Sequence, residues 1–255
     1  RIAQPAQSLQ ALTVGSIAKA DFEEEDWRCL AGQDKTSPFS RSGPGIWDVP
    51  KPDVVEFGGD LCRTTQEPPP SLTVKEDTSP LLIRSTLGGG PSMARDDVGT
   101  SYAAPKVAAL AAEILRTLPD VSSLQARALI ANAARWPEWA ELEEDNEARG
   151  TLFRHIGYGV PSWERALENA SHRVTLVTSD FYELKAGEAA VFEVPIPDVL
   201  NAPGQENRFR SDVTLSYSSE PRRTRASLRG YQSVWLDWRS SNFGQPLEDF
   251  LAKMW

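Results

Sequence analysis

The sequence predicts an α/β fold over residues 1–168, a mostly parallel sheet with helices on both faces. A small antiparallel β-sandwich with a terminal helix is expected over residues 172–255. Three observations carry this reading. Short apolar runs bounded by turn residues, at 12–17 and 53–57, read as strands of a covered sheet. An Ala-rich run from Ala103 to Leu115 is nearly continuous in apolar residues, so it reads as a helix buried all round. From His172 the texture changes to short alternating strands separated by polar turns.

The elements follow in chain order. Residues 12–17, Leu-Thr-Val-Gly-Ser-Ile, form the first buried strand. Residues 21–26, Asp-Phe-Glu-Glu-Glu-Asp, form an acidic surface loop. Calcium is the cation such a cluster would take, but nothing else in the sequence supports it, and no cofactor is expected. Residues 37–45 are a turn by composition, and Lys51-Pro52 leads into the strand that ends at Phe57-Gly58-Gly59. Residues 60–80, with Pro68, Pro69, Pro70 and Pro80, read as a long loop. Apolar character resumes at Leu81-Leu82-Ile83, and Leu87-Gly88-Gly89-Gly90-Pro91 reads as a mobile hinge. It lacks the Gly-Lys-Ser/Thr that would make it a phosphate loop.

Ser122 and Gln125 fit a capping box that opens a second helix, with Ala126, Leu129, Ile130 and Ala133 at helical spacing. Residues 136–150, acidic with Trp136 and Trp139, read as an insertion. Beyond His172, strands are expected around 173–178, 191–194, 213–217 and 234–238, and a short amphipathic helix closes the chain from Pro246. The basic patch at 220–225 reads as a solvated hairpin tip.

Composition narrows the function classes. Of 255 residues, 25% are charged and 40% hydrophobic, which is ordinary for a globular chain. A net charge of −9 argues against nucleic acid as partner. No apolar run approaches the roughly 20 residues that span a bilayer. Cys29 and Cys62 do not make a disulfide framework and share no metal-ligand spacing, which points to a reducing, cytoplasmic setting. The chain begins at Arg1, almost directly in a strand, and is expected to be a piece of a longer protein.

The centre of the chemistry is Gly99-Thr100-Ser101-Tyr102-Ala103-Ala104-Pro105-Lys106-Val107-Ala108. A glycine-led turn delivers Ser101 to the start of a helix, with Pro105 expected in the first turn. There the free N–H groups and the positive dipole end favour developing negative charge, as an acyl-transfer nucleophile requires. Serine is also a common N-cap, and taken alone Ser101 fits that use better.

The run resembles the catalytic-serine motif of the subtilase family: Gly-Thr-Ser, a large apolar residue, Ala, a small residue, Pro, a variable position, Val-Ala. Lys106 stands where that family often has histidine or an aliphatic residue, and Ala109 where it often has glycine. The resemblance continues in family order through residues 12–17, 37–45, 51–59 and 157–167, with Phe57-Gly58 replacing the usual proline-glycine turn. It implies a subtilisin-like domain over residues 1–168 with Ser101 as nucleophile of a serine endopeptidase acting on polypeptides.

The resemblance also implies that half of the chemistry lies elsewhere. Subtilases place the orienting aspartate, the base histidine and an oxyanion asparagine before this point. The two histidines here, His155 and His172, both follow Ser101 and read as structural or surface residues. The chain alone is therefore expected to be inert, with the upstream half of the same protein as its partner. Its few cysteines and added β-domain look similar to bacterial intracellular proteases, some of which work beside an AAA-type ATPase. The rival reading is a non-catalytic subtilase relic whose β-domain binds a partner. An α/β-hydrolase esterase is excluded, because Ala103 stands where a Gly-x-Ser-x-Gly elbow needs its last glycine.

Overall fold

Two strands, β1 (Val14–Ile17) and β3 (Val54–Phe57), pair in parallel, with Val14 opposite Val54 and Ile17 opposite Phe57. The computed structural model describes residues 2–45, 48–65, 71–74, 80–85, 95–194, 210–219, 236–242 and 245–253. Because side chains alternate along a strand, the pair presents two apolar faces. Val14 and Val54 pack into one core with Val107, Leu110, Ile114, Leu129 and Ile130. Ile17, Val55 and Phe57 pack into another with Trp136, Trp139, Leu152 and Ile156. The first core is supplied by helices α1 (Thr100–Thr117), α2 (Ser123–Ala133) and α5 (Trp163–Leu167). The second is supplied by α3 (Glu138–Glu141) and α4 (Asn146–Ile156). Helices therefore cover both faces, as expected of an α/β fold.

Parallel pairing is narrower than the sequence suggests. Among the described residues it is confined to β1 and β3. β2 (Trp27–Cys29), β4 (Cys62–Thr64) and β5 (Leu72–Thr73) form an antiparallel sheet, so part of the stretch expected to be loop is strand. β6 (Ile83–Ser85) pairs antiparallel with β7 (Arg95–Asp97), and β8 (Ala134–Arg135) with β9 (Val160–Pro161). The glycine stretch 87–91 and the basic patch 220–225 lie outside the described residues.

Local signals held where they were local. Ser122 caps α2 in a full capping box: its Oγ accepts from Gln125 N–H at 3.2 Å and its own N–H donates to Gln125 Oε1 at 2.8 Å. Two expectations need correction. First, α1 buries one face rather than all of itself: Ala103, Val107, Leu110 and Ile114 are buried, whereas Ala104, Ala108, Ala109 and Ala112 are exposed and Leu115 is 45% exposed. Alanine marks little area, so a continuous apolar run does not guarantee a partner on every side. Second, Pro105 is five positions beyond Thr100, inside the helix. Its missing N–H leaves the Ser101 carbonyl without its i+4 donor. The segment 136–150, read as an insertion, turns its two tryptophans inward while most of 141–150 stays exposed. Trp136 Nε1 donates to Gly157 O at 2.7 Å and Trp139 Nε1 to Asp34 O at 3.0 Å, which fixes both indoles beneath the sheet.

By its contacts the chain divides into Arg1–Glu183 with Val191–Ser218, and Leu184–Ala190 with Ser219–Trp255. Within the first unit, α2 and β8 hold two stretches from beyond residue 172. Gln125 Nε2 donates to Thr178 O at 2.5 Å, Asn132 Nδ2 donates to Asp212 O at 3.1 Å, and Arg135 pairs with Asp212 at 2.8 Å. Described residues 174–194 and 210–217 hold no strand or helix, and Val174, Leu176, Val213 and Leu215 are exposed. In the second unit the described regular element is a short helix, α6 (Leu247–Leu251). The positions expected at Val234 and Trp235 lie outside the described residues. Among the described residues no helix is long and apolar enough to cross a membrane.

Candidate active site

The site is built where the carboxyl ends of β1 and β3 meet the start of α1. Gly58 directly follows β3, and its carbonyl accepts the Gly99 N–H at 2.8 Å. A Cβ on Gly58 would fall on Ser16 Oγ and lie 2.6 Å from Gly99 O, so only glycine permits this approach. Beneath it Ser16 is fully buried. Its Oγ lies 2.8 Å from Ser37 Oγ, and Ser37 Oγ donates to Gly59 O at 2.6 Å. A buried hydroxyl relay thus pins both strand ends, each oxygen having a partner.

Gly99 is the N-cap of α1, with φ 156° and ψ 155°. That region of backbone space is essentially reserved for glycine. Having no side chain, Gly99 offers no side-chain cap, and its carbonyl accepts the Tyr102 N–H at 3.0 Å. Ser101 is the second residue of the helix and is exposed. It is therefore not the N-cap, and the use of serine as a mere cap does not describe it. An uncapped helix start at the carboxyl end of parallel strands is a place where polar ligands and anions bind in α/β folds. Tyr102 beside it donates from its hydroxyl to Asp97 Oδ2 at 3.3 Å, tying the first turn back to β7.

Lys106 projects from the next turn. Its Nζ donates to Phe57 O at 2.8 Å and lies 3.8 Å from Glu56 Oε1. Burial pushes the Lys106 ammonium below the ordinary lysine range, Glu56 opposes that shift, and Lys19 adds to it. A fully buried cation lies at the other end of the strand. Lys51, 1% exposed, donates to Asp53 Oδ2 at 2.6 Å and to Ala11 O at 2.9 Å, and Asp53 also pairs with Arg127 at 3.1 Å. Burial outweighs Asp53 and holds Lys51 below the ordinary value. This triad anchors the entry to β3 rather than the chemistry.

The structure places Ser101 at the helix start that the sequence suggested. It brings neither histidine to it: His155 is half-buried in the last turn of α4 and His172 is exposed, and no hydrogen bond among the described residues joins either to Ser101. Asp21 in the acidic loop accepts the Gln33 N–H at 2.8 Å. No group of three or more His, Cys, Asp or Glu among the described residues is arranged to hold a metal. The Gly58–Gly99 contact is what sequence reading missed. The signal was present as glycines immediately after the second strand and before the serine, but their meeting depends on the fold.

Compared with known proteins, the chain matches the sequence model of the subtilase family over residues 1–159. It is also similar to the uncharacterized protein y4bN of Sinorhizobium fredii, 34% identical over 243 residues that cover 90% of this chain and 54% of that relative. The chain thus spans about half the length of the curated relative it matches.

Proposed function

The chain belongs to the subtilase family, and from that we propose that it is the C-terminal part of the catalytic domain of a subtilisin-like serine endopeptidase, with Ser101 as nucleophile. The observation that carries the reading is the exposed Ser101 on an uncapped helix start, backed by the Gly58–Gly99 contact. Ser101 Oγ attacks the carbonyl carbon of a peptide while a histidine from the upstream half takes its proton. That histidine then protonates the leaving amine, and water releases the acyl-enzyme by the same steps. The Ser101 N–H and the positive end of α1 stabilise the oxyanion, with an upstream asparagine as second donor.

The missing aspartate, histidine and asparagine come from the portion of the protein that this chain does not contain. The exposed alanine face of α1 is consistent with an upstream segment packing there. The alternating apolar residues Val213, Leu215 and Tyr217 support folding of the later segment into a small antiparallel β-sandwich, which would cover them. We assign the protein to the cytoplasm, and an AAA-type ATPase as its partner, on resemblance to bacterial intracellular subtilases.

The test is labelling with a fluorophosphonate probe. The whole protein should label at Ser101, while the isolated chain and Ser101→Ala should not. Turnover should fall roughly a million-fold in Ser101→Ala, the loss known for the serine of subtilisin itself. Its stability should stay within about 0.5 kcal/mol, since the hydroxyl is exposed and caps nothing. An unlabelled whole protein would leave the relic reading, and strong labelling of the isolated chain would make His155 the first base to examine.

A further inference from the structure

β2 and β4 set Cys29 directly opposite Cys62 in antiparallel register. The backbone bonds say which kind of pair this is. Leu30 N–H donates to Leu61 O at 2.9 Å, whereas Cys29 N–H turns away to Phe22 O at 2.8 Å. Hydrogen-bonded and non-hydrogen-bonded pairs alternate along such a ladder, so Cys29 and Cys62 form the close, non-hydrogen-bonded kind. Pairs of that kind hold their Cα atoms about 4.5 Å apart and their Cβ atoms about 4.5–5.5 Å apart, on one face of the sheet. A disulfide takes Cα separations of about 4.4–6.8 Å and Cβ separations of about 3.5–4.5 Å, so a small approach closes it.

The strands are already fastened beside the pair. The fully buried Asp60 carboxylate accepts Ala31 N–H at 2.8 Å and Gly32 N–H at 3.1 Å on one oxygen, and Leu61 N–H at 2.8 Å on the other. This joins the residues just after Cys29 to those just before Cys62. Both cysteines are thiols in the structure, Cys62 1% exposed and Cys29 partly exposed. Cys29 Sγ lies 4.0 Å from Asp21 Oδ1 at the rim. One cysteine is thus partly exposed to solvent and the other buried.

We propose that Cys29 and Cys62 are a reversible cross-strand dithiol, oxidised by small-molecule disulfides through thiol–disulfide exchange. The Cys29 thiolate attacks a disulfide RSSR, forming a mixed disulfide and expelling RS⁻. The Cys62 thiolate then attacks the Cys29 sulfur and expels the second RS⁻. Two protein thiols are oxidised to one disulfide, RSSR is reduced to two RSH, and the two thiol protons pass to the leaving thiolates. The bond closes the loop that contains β3 and Gly58, so oxidation tightens the support beneath Ser101.

The experiment treats the native protein with oxidised glutathione and follows intact mass, non-reduced peptide maps and melting temperature. Both thiols should disappear together, the mass should fall by two hydrogens, and one peptide pair should link Cys29 to Cys62. Dithiothreitol should reverse the change, and the oxidised form should melt roughly 5–10 °C higher. Cys62→Ser should stop at a glutathione adduct on Cys29, and Cys29→Ser should resist modification at the buried Cys62. The peptide map of the unmutated protein decides the matter even if a variant folds poorly. Oxidation that stops at the Cys29 adduct, that links two chains, or that leaves both thiols unreacted would overturn the proposal.

Discussion

Lys106 Nζ lies 2.8 Å from the carbonyl oxygen of Phe57 and donates a hydrogen bond to it. The same ammonium stands 5.8 Å from the centre of the Phe57 ring. These are two positions at which the chain departs from the usual subtilase pattern, one in the serine motif and one in the proline-glycine turn. The departures meet in space, and together they fasten the first turns of α1 to the end of β3.

Lys106→Met keeps the aliphatic stem and removes this tether. Stability should fall by about 1 kcal/mol, the size of one partly exposed hydrogen bond. Urea unfolding checks it: the midpoint should drop with an unchanged slope. An unchanged midpoint would show that the contact adds nothing to the docking of α1.

Gly58→Ala should act more severely. The new Cβ would meet Ser16 Oγ and come within 2.6 Å of Gly99 O, with buried backbone and a pinned hydroxyl as its neighbours. Overpacking of this kind costs about 1–3 kcal/mol and displaces the N-cap of α1. In the whole protein, fluorophosphonate labelling should fall well before the fold is lost. Labelling at the rate of the unmutated protein would show that Ser101 does not rely on this contact.

Asp53→Ala leaves Lys51 buried without its counter-ion and should cost about 3–5 kcal/mol by chemical denaturation. The Lys51 shift also sets a pH dependence. Its folded pKa lies below the ordinary 10.5, so between the two values the unfolded chain binds more protons. Stability from this group therefore rises with pH across that window and is lost as pH falls through the folded value. Lys106 has the same sign. Melting curves from about pH 8 to 10.5 should show a flatter profile for Lys51→Met than for the unmutated chain. Equal profiles would mean that Lys51 keeps its ordinary affinity for the proton.

Some of this protein was legible in its sequence because the physics is short-range. The Ser122–Gln125 box closes across three residues, and its two hydrogen bonds need nothing beyond their own turn. The same holds for a strand at Val54–Phe57 and for a helix carrying Ser101 at its start, which propensity and periodicity specify locally. The serine motif is equally a local string.

Other features exist only once distant segments meet. Trp139 finds Asp34 O across 105 positions and packs against the second core. Gly99 finds Gly58, and Cys29 finds Cys62, by strand pairing that no residue pattern encodes on its own. The burial of α1 is of the same kind: its run of alanines marks a helix, but which face is covered depends on what packs against it. Sequence by itself determined the strand at Val54–Phe57, the Ser122–Gln125 box and the helix that carries Ser101 at its start, because backbone propensity and side-chain chemistry are local. Tertiary structure alone decided which residues support that serine, because burial, register and close backbone approach are properties of contacts between segments far apart in the chain.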